Sequence, residues 1–363
     1  EVRVWPKGKE VFRSVLGDRR ADAVAFSPDG RRLAVACGRQ VRRWDAVSGE
    51  ELPSGPGHED AVVAAVFSAD GEFVATLGLD QTVRLWRTDD GGQLHVVGAR
   101  ASFSSEHAAA LSPDGKLLAV DQGDAVALVA CDDGRVVHRW ALPPVSADDE
   151  EIDDARVVAF SPDASQCATW SFADSVLRRW DVASGGSRAE QRFEAAERRV
   201  EASGSIWLGL PPEAVLAPDL ALLAASRFSG EDVVAWHTET GRRCFHLRSS
   251  SPLSSIVFSP DGRFLAVGRT SGLVQLWAVE ADQLQHSLEG PACGSFPRAF
   301  LDGGRTLVTE HPDETSRFWD VASGREIGRV EGHRLWAFSA DGRRAASIAP
   351  RNVVLVWDVS SLR

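Results

Sequence analysis

Three observations predict an all-β fold built from repeated four-stranded sheets. A turn tetrapeptide recurs along the 363-residue chain, an aromatic residue follows it at a set distance, and the pair returns about every forty residues. The turn reads FSPDG at Phe26, FSADG at Phe67, LSPDG at Leu111, FSPDA at Phe160, LAPDL at Leu216, FSPDG at Phe258, FLDGG at Phe300 and FSADG at Phe338. Its chemistry is specific: Pro pre-sets φ, Asp hydrogen-bonds nearby backbone, and Gly accepts the left-handed conformation. The aromatic stands at Trp44, Trp86, Trp180, Trp236, Trp277, Trp319 and Trp357. Val129 holds its place in the third unit, since Trp86 and Val129 are each followed by x-x-Asp-Asp-Gly. The intervals are 42, 43, 51, 56, 41, 42 and 38 residues. Between turns lie short runs rich in Val, Phe, Leu and Ala, which read as strands rather than helices. Four strands per unit at this period mark a β-propeller.

The stretch Gly57 to Trp86 is the fullest copy. AAVF (64–67) leads into the first turn, EFVATLG supplies the second strand, and Gly78-Leu79-Asp80-Gln81 turns into TVRLW, the third. GQLHVV (92–97) is the fourth. Such a sheet is apolar on both faces and needs neighbours to cover it.

From the start of the chain, EVRVW (1–5) reads as a third strand and Glu10 to Leu16 as a fourth, so the sequence opens halfway through a unit. Eight sets of first, second and third strands follow, and the last ends at Trp357-Asp358 with no fourth strand behind it. The strand near Val11 to Val15 is therefore predicted to complete the final sheet, closing the ring and hiding both edges. EVRVW is then one strand too many: a remnant of a longer array, or a strand paired outside the ring. Eight blades is the count, with seven the alternative if one worn unit fails to form.

RRWD, RFWD and VWD at the ends of third strands, with Gly57-His58 and Gly332-His333 near unit starts, resemble the WD40 family over essentially the whole chain. The resemblance implies a single propeller over residues 1–363. It is specific for fold and nearly silent on function, because one fold hosts many roles. It also implies a role for His58, Thr76, Asp80 and Trp86, which otherwise contain the residue types of a hydroxyl-histidine-carboxylate triad. In this family they form a structural tetrad, with the indole N–H bonded to the hydroxyl, the hydroxyl to His, and His to the turn Asp. By sequence only this unit has all four. The unit of Trp319 keeps Thr309 and Asp313 without a Gly-His, and the last keeps His333, Ser347 and Trp357 with Arg351 in place of Asp. Apolar packing between blades must hold the other units.

Composition narrows the functional classes. The net charge is −12 and Arg recurs at a strand position two before the repeat aromatic, as at Arg42, Arg84, Arg178 and Arg317, rather than in a basic cluster, which disfavours nucleic acid. No apolar run approaches a membrane span. The five cysteines are dispersed, odd in number and free of C-x-x-C pairs, so neither a metal site nor a disulfide framework is expected, and a reducing, cytoplasmic setting fits. Tyr and Met are absent, Asn occurs only at Asn352, and Lys is scarce against Arg, which points to a GC-rich, bacterial source. A start at Glu1 inside a unit suggests a segment of a larger protein. No phosphate loop, dinucleotide fingerprint or nucleophile elbow is present, and no cofactor or catalytic residue is assigned.

Two units are long. PPVSADDEEIDD (143–154) carries Asp148, Asp149, Glu150, Glu151, Asp153 and Asp154. It reads as a solvated loop or, more sharply, as a contact for a basic partner; it lacks the ligand spacing of a calcium loop. The second insertion runs from roughly Arg188 to Pro212, where QRFEAAERRVEA can form a short helix and Trp207 stands outside the repeat grammar. Trp207 either packs onto the propeller or anchors a partner. Both insertions fall between a fourth strand and the next first strand, and in this fold those connections share a face with the second-to-third turns. The predicted interaction face therefore combines the acidic loop and Trp207 with Arg39, Leu79, Phe172, Phe228, Arg269, His311 and Arg351. The expected function is a monomeric, non-catalytic scaffold for a protein or peptide partner. The alternatives are a sensing or regulatory module beside a kinase or other effector domain, and a hydrolase at the channel mouth.

Overall fold

The computed structural model describes residues 9–16, 21–54, 57–68, 70–99, 109–142, 156–171, 174–193, 214–226, 232–249, 251–291, 294–332, 335–339, 342–349 and 353–359. These residues form eight four-stranded antiparallel sheets, numbered 1 to 8 by their first strands, Ala21–Phe26, Val62–Phe67, Ala109–Leu111, Arg156–Phe160, Ala214–Leu216, Leu253–Phe258, Phe296–Leu301 and Leu335–Phe338, and the fold class is an all-β, eight-bladed propeller. Sheet 2 comprises Val62–Phe67, Phe73–Gly78, Thr82–Arg87 and Gln93–Gly98, in that order. Sheet 7 comprises Phe296–Leu301, Thr306–Glu310, Thr315–Asp320 and Arg325–Glu331. Sheet 8 takes three strands from the end of the chain, Leu335–Phe338, Arg344–Ala349 and Val353–Asp358, and its fourth from the beginning. That fourth strand, Lys9–Val15, pairs antiparallel with Val353–Asp358, as the missing strand in the last unit required.

The repeat grammar is legible in the register. Trp86 lies opposite Val74, Trp277 opposite Leu265, Trp319 opposite Leu307 and Trp357 opposite Ala345. Val129 lies opposite Leu118 in the same place and is 2% exposed, which makes it the apolar stand-in for the missing indole. Trp140, on the neighbouring strand Val136–Ala141, stacks on Trp180 at 5.1 Å and 10°, supplying aromatic surface that Val129 does not.

The turn tetrapeptide works through its side chains. Ser27 Oγ donates to Asp29 Oδ1 at 2.6 Å and accepts the N–H of Arg32 at 2.9 Å, and Ser112, Ser161 and Ser259 make the same bond to Asp114, Asp163 and Asp261. The fourth turn residue is left-handed throughout, including where it is not glycine: Ala164 has φ 57° and Leu220 φ 59°.

By internal packing the described residues form two compact units. One contains sheets 8, 1, 2 and 3 and most of sheet 4; the other contains sheets 5, 6 and 7. In the first unit the apolar cores lie at the seams between successive sheets. Val354 and Val356 of sheet 8 pack with Leu33 and Val35 of sheet 1, while Ala34 and Ala36 pack with Val62, Val74 and Trp86 of sheet 2. In the second unit Ala224, Phe245 and Leu247 pack with Ile256 and Val267, and Ala266 and Leu276 with Leu307 and Trp319. Each seam removes apolar surface that a lone sheet would leave in water.

A second inter-sheet device was not foreseen. A side chain from one sheet lies over the left-handed residue of the next sheet's third-to-fourth turn: His95 over Gly134, His138 over Gly185, His286 over Gly324. At Gly185, φ is 70° and a Cβ would overlap the His138 ring, so the position needs glycine twice over. In sheet 1 the fourth strand shrinks to Glu51–Leu52 before Pro53. There Arg43, 2% exposed, reaches across instead, giving Nη1 to the carbonyls of Arg87 and Thr88 and Nη2 to that of Pro53.

Two sequence expectations change. Arg188 does not begin the second insertion, because Ser187–Arg192 is the fourth strand of sheet 4. Gln191 and Arg192 accordingly extend a strand rather than open a helix. EVRVW, the acidic loop and the second insertion from residue 194 onward lie outside the described residues.

Candidate functional site

The residues that look most like chemistry converge in sheet 2. Trp86 Nε1–H donates to Thr76 Oγ1 at 2.8 Å, Thr76 lies 2.8 Å from His58 Nε2, and His58 Nδ1 is 3.0 Å from both carboxylate oxygens of Asp80. Since Asp80 accepts, the imidazole carries its proton on Nδ1, and Nε2 accepts from the Thr76 hydroxyl. Asp80 is held further by Thr82 Oγ1 at 2.7 Å, the Glu59 N–H at 2.8 Å and Arg84 Nη2 at 3.3 Å. For Asp80 burial alone would raise the pKa, but the bonds from Thr82, Glu59 and His58 outweigh it and hold the carboxyl at about 2. Burial lowers the pKa of His58, with Asp80 pulling the other way.

This geometry bears on what the cluster can do. Thr76 is 1% exposed, and its hydroxyl is spent between an indole donor and an imidazole acceptor. A nucleophile needs a free lone pair aimed at a reachable carbonyl. The bonds tie the trio together within one sheet and leave the Thr76 hydroxyl buried.

Sheet 7 contains a second lock that the sequence concealed. Trp319 Nε1–H donates to Thr309 Oγ1 at 2.8 Å, and Thr309 lies 2.8 Å from Nε2 of His311. His311 Nδ1 is 2.9 Å from Ser295 Oγ, which donates to the carbonyl of Gly272 in sheet 6 at 2.6 Å. The histidine thus comes from the second-to-third turn, two residues after the threonine, rather than from a Gly-His before the first strand. A Thr-x-His at the end of a second strand was the available signal. Asp313 keeps the part of Asp80 toward its own turn, accepting from Thr315 Oγ1 at 2.6 Å, but does not contact the imidazole at bonding distance. Partial locks persist elsewhere: Trp357 Nε1 donates to Ser347 Oγ at 2.8 Å and Trp180 Nε1 to Thr169 Oγ1 at 3.4 Å. Sheet 6 has Val267 at the equivalent register, opposite Gln275, and the Trp277 indole nitrogen is buried without a partner.

The predicted interaction face fares unevenly. Arg39 is exposed and Leu79 half-buried in their turns. Arg269 and His311 do not belong to it, being fully buried. Arg269 gives Nη1 to the Ser251 carbonyl at 3.1 Å, and burial lowers its pKa to about 10. His311 is consumed by its lock. Asp148, Asp149, Glu150, Glu151, Asp153, Asp154, Phe172, Trp207, Phe228 and Arg351 lie outside the described residues.

The described cysteines, Cys37, Cys131, Cys167 and Cys244, are free thiols, and burial pushes Cys131 up to about 12. Among the described residues no group of three or more His, Cys, Asp or Glu is arranged to hold a metal, and no helix is long and apolar enough to cross a membrane.

Comparison with known proteins points the same way as the repeat geometry. The family model described as WD domain, G-beta repeat matches residues 19–45, 49–87 and 241–278. The chain is 28% identical over 233 residues to WD repeat and SOCS box-containing protein 1 of Danio rerio, covering 60% of this chain and 52% of that protein. It is 30% identical over 143 residues to WD repeat-containing protein SL1-17 of Schistosoma mansoni, covering 38% and 47%. Over 65 residues it is 34% identical to the guanine nucleotide-binding protein subunit beta of Schizosaccharomyces pombe, covering 18% and 21%. The chain thus spans about half the length of the first two of these curated relatives, or less in the third. The crystal structure of the computationally designed Ika8 protein superposes with a TM-score of 0.70 at 18% identity, over 96% of this chain and 99% of that one, a likeness of fold alone. With eight sheets in one register, turn serines and aspartates in repeating bonds, and WD-repeat relatives along the chain, this protein belongs to the WD40-repeat family.

Proposed function

We propose that the protein is a non-catalytic scaffold that captures a protein or peptide through loops on one face of its propeller. WD40 propellers generally mediate protein–protein interaction, and that general role extends to this chain. The observation that carries the finer reading is how the reactive side chains are used. His58, Thr76 and Asp80 in sheet 2, and Thr309 and His311 in sheet 7, are committed to internal bonds. The chain's own variation then lies in its turns and insertions: Arg39, Leu79, the carboxylates between Asp148 and Asp154, and Trp207. Loops carried on a rigid scaffold are where recognition commonly resides. The dense carboxylates suit a basic segment, and Trp207 suits an apolar pocket on the partner.

A second reading concerns context. One relative's name joins WD repeats to a SOCS box, and this chain spans 52% of that protein. The propeller is accordingly proposed as the binding module of a longer protein, in a cytoplasmic setting. Composition alone supports a bacterial source.

The test is affinity capture with the whole chain, comparing wild type with Trp207→Ala, with Arg39→Glu, and with all six loop carboxylates changed to Lys. The face assignment expects each variant to melt like wild type while losing specific partners. Capture unchanged in all three would refute it.

A further inference from the structure

The two histidine locks are built differently, and the difference has a consequence for acid. In sheet 2 the imidazole is backed by a carboxylate, Asp80, at 3.0 Å from Nδ1, so a second proton on the ring would meet a compensating charge. In sheet 7 the backing group is a hydroxyl. Ser295 spends its own proton on the Gly272 carbonyl, so it can only accept from His311 Nδ1–H. Thr309 accepts the Trp319 indole N–H and donates its hydroxyl proton to Nε2. The bonds therefore run in fixed directions: indole to hydroxyl to imidazole, then imidazole to hydroxyl to carbonyl. This chain closes only around a neutral imidazole with its proton on Nδ1. A proton on Nε2 reverses the bond to Thr309 and leaves that hydroxyl's proton without its acceptor.

The charged neighbours do not rescue the cation. Arg317, on the third strand of sheet 7, disfavours it; Asp313 and Glu326 favour it from a distance and the Gly294 backbone by a hydrogen bond, but together they do not outweigh burial and Arg317. On the second strand Glu310 is engaged by Arg298 of the first at 2.6 Å. After the fourth strand of sheet 6 the backbone passes close to the ring at Gly290, which carries no charge. Burial comes first and Arg317 second in lowering the His311 pKa, to about 4.

We infer that sheet 7 is an acid-sensitive element of the propeller, released when His311 takes up a proton, while the carboxylate-backed lock of sheet 2 responds less. The sign follows from linkage. The opened segment binds a proton near pH 6.5 and the closed one only near 4, so closure is fully stable above 6.5 and weakens as pH falls through that window. Between pH 7.0 and pH 4.5 the ratio of the two binding terms predicts about a 60-fold loss of protection.

Amide hydrogen exchange of the wild-type chain tests this, with protection corrected for intrinsic rates at pH 7.0, 5.5 and 4.5. Protection in 306–320 is expected to fall about 60-fold between pH 7.0 and pH 4.5, with 73–87 falling by less. His311→Gln, which cannot take the proton, should abolish the pH dependence of 306–320. Equal behaviour of the two segments, or no loss in 306–320, overturns the inference from the wild type alone. A surviving transition in folded His311→Gln overturns it as well.

Discussion

Replacing Thr76 with valine removes one oxygen and almost no volume, which makes it a clean probe of the sheet 2 lock. The Trp86 indole N–H loses an acceptor at 2.8 Å, and His58 Nε2 loses a donor at 2.8 Å. Each net hydrogen bond is worth about 1 kcal/mol, and stranding a buried donor adds about 1–2 kcal/mol more. Trp86 is 4% exposed and Thr76 1%, so water cannot fill in cheaply. Against this, the added methyl gains about 0.8 kcal/mol of apolar burial. The net expectation is a loss of about 2–3 kcal/mol. Urea unfolding followed by tryptophan fluorescence reads it, and local exchange in 73–87 distinguishes loss of one sheet from global destabilisation. A cost under about 0.5 kcal/mol would show the lock to be ornamental and the seam packing sufficient.

The reverse change is available in sheet 6: Val267→Thr should give the stranded Trp277 indole an acceptor and gain about 1 kcal/mol by urea midpoint. Ala164→Gly should relieve a left-handed alanine costing about 1–2 kcal/mol, less about 0.5–1 kcal/mol of unfolded-chain entropy, for a net gain of about 0.5–1 kcal/mol in thermal unfolding. Gly185→Ala meets both φ 70° and the His138 ring, which is stacked on Trp140, and should cost about 2–3 kcal/mol, with a change in near-UV circular dichroism as the stack shifts.

What could be read in advance followed from local rules. The Ser-Asp turn, the period and the unmatched last strand each encode geometry within a few residues, and together they placed eight sheets and assigned Lys9–Val15 to the eighth. The features that escaped depend on contacts between repeats. His311 replaces a Gly-His from a different point in the unit, so a fixed-offset motif does not find it. His138 and Gly185 are 47 positions apart, and nothing local marks the pair. Arg43 stands where Leu85 and Leu276 stand in other sheets, and its burial makes sense only beside the carbonyls of the next sheet's turn. Arg269 illustrates the opposite failure: a charged turn residue reads as surface until the neighbouring Ser251 carbonyl is seen to hold it.

The pairing of Phe12 with Val356 joins positions 344 apart in sequence, and this sets an order on synthesis. Sheets 1 to 7 can each form from a single contiguous stretch as it emerges, but sheet 8 cannot exist until residues 353–358 have been made. The strand Lys9–Val15 must wait for more than three hundred intervening residues with its partner unmade. Non-local pairing of this kind is slow, and an unpaired strand is open to other chains meanwhile. The short, charged character of KEVFRSV, with Arg13 paired to Glu10 at 2.9 Å, is suited to that wait.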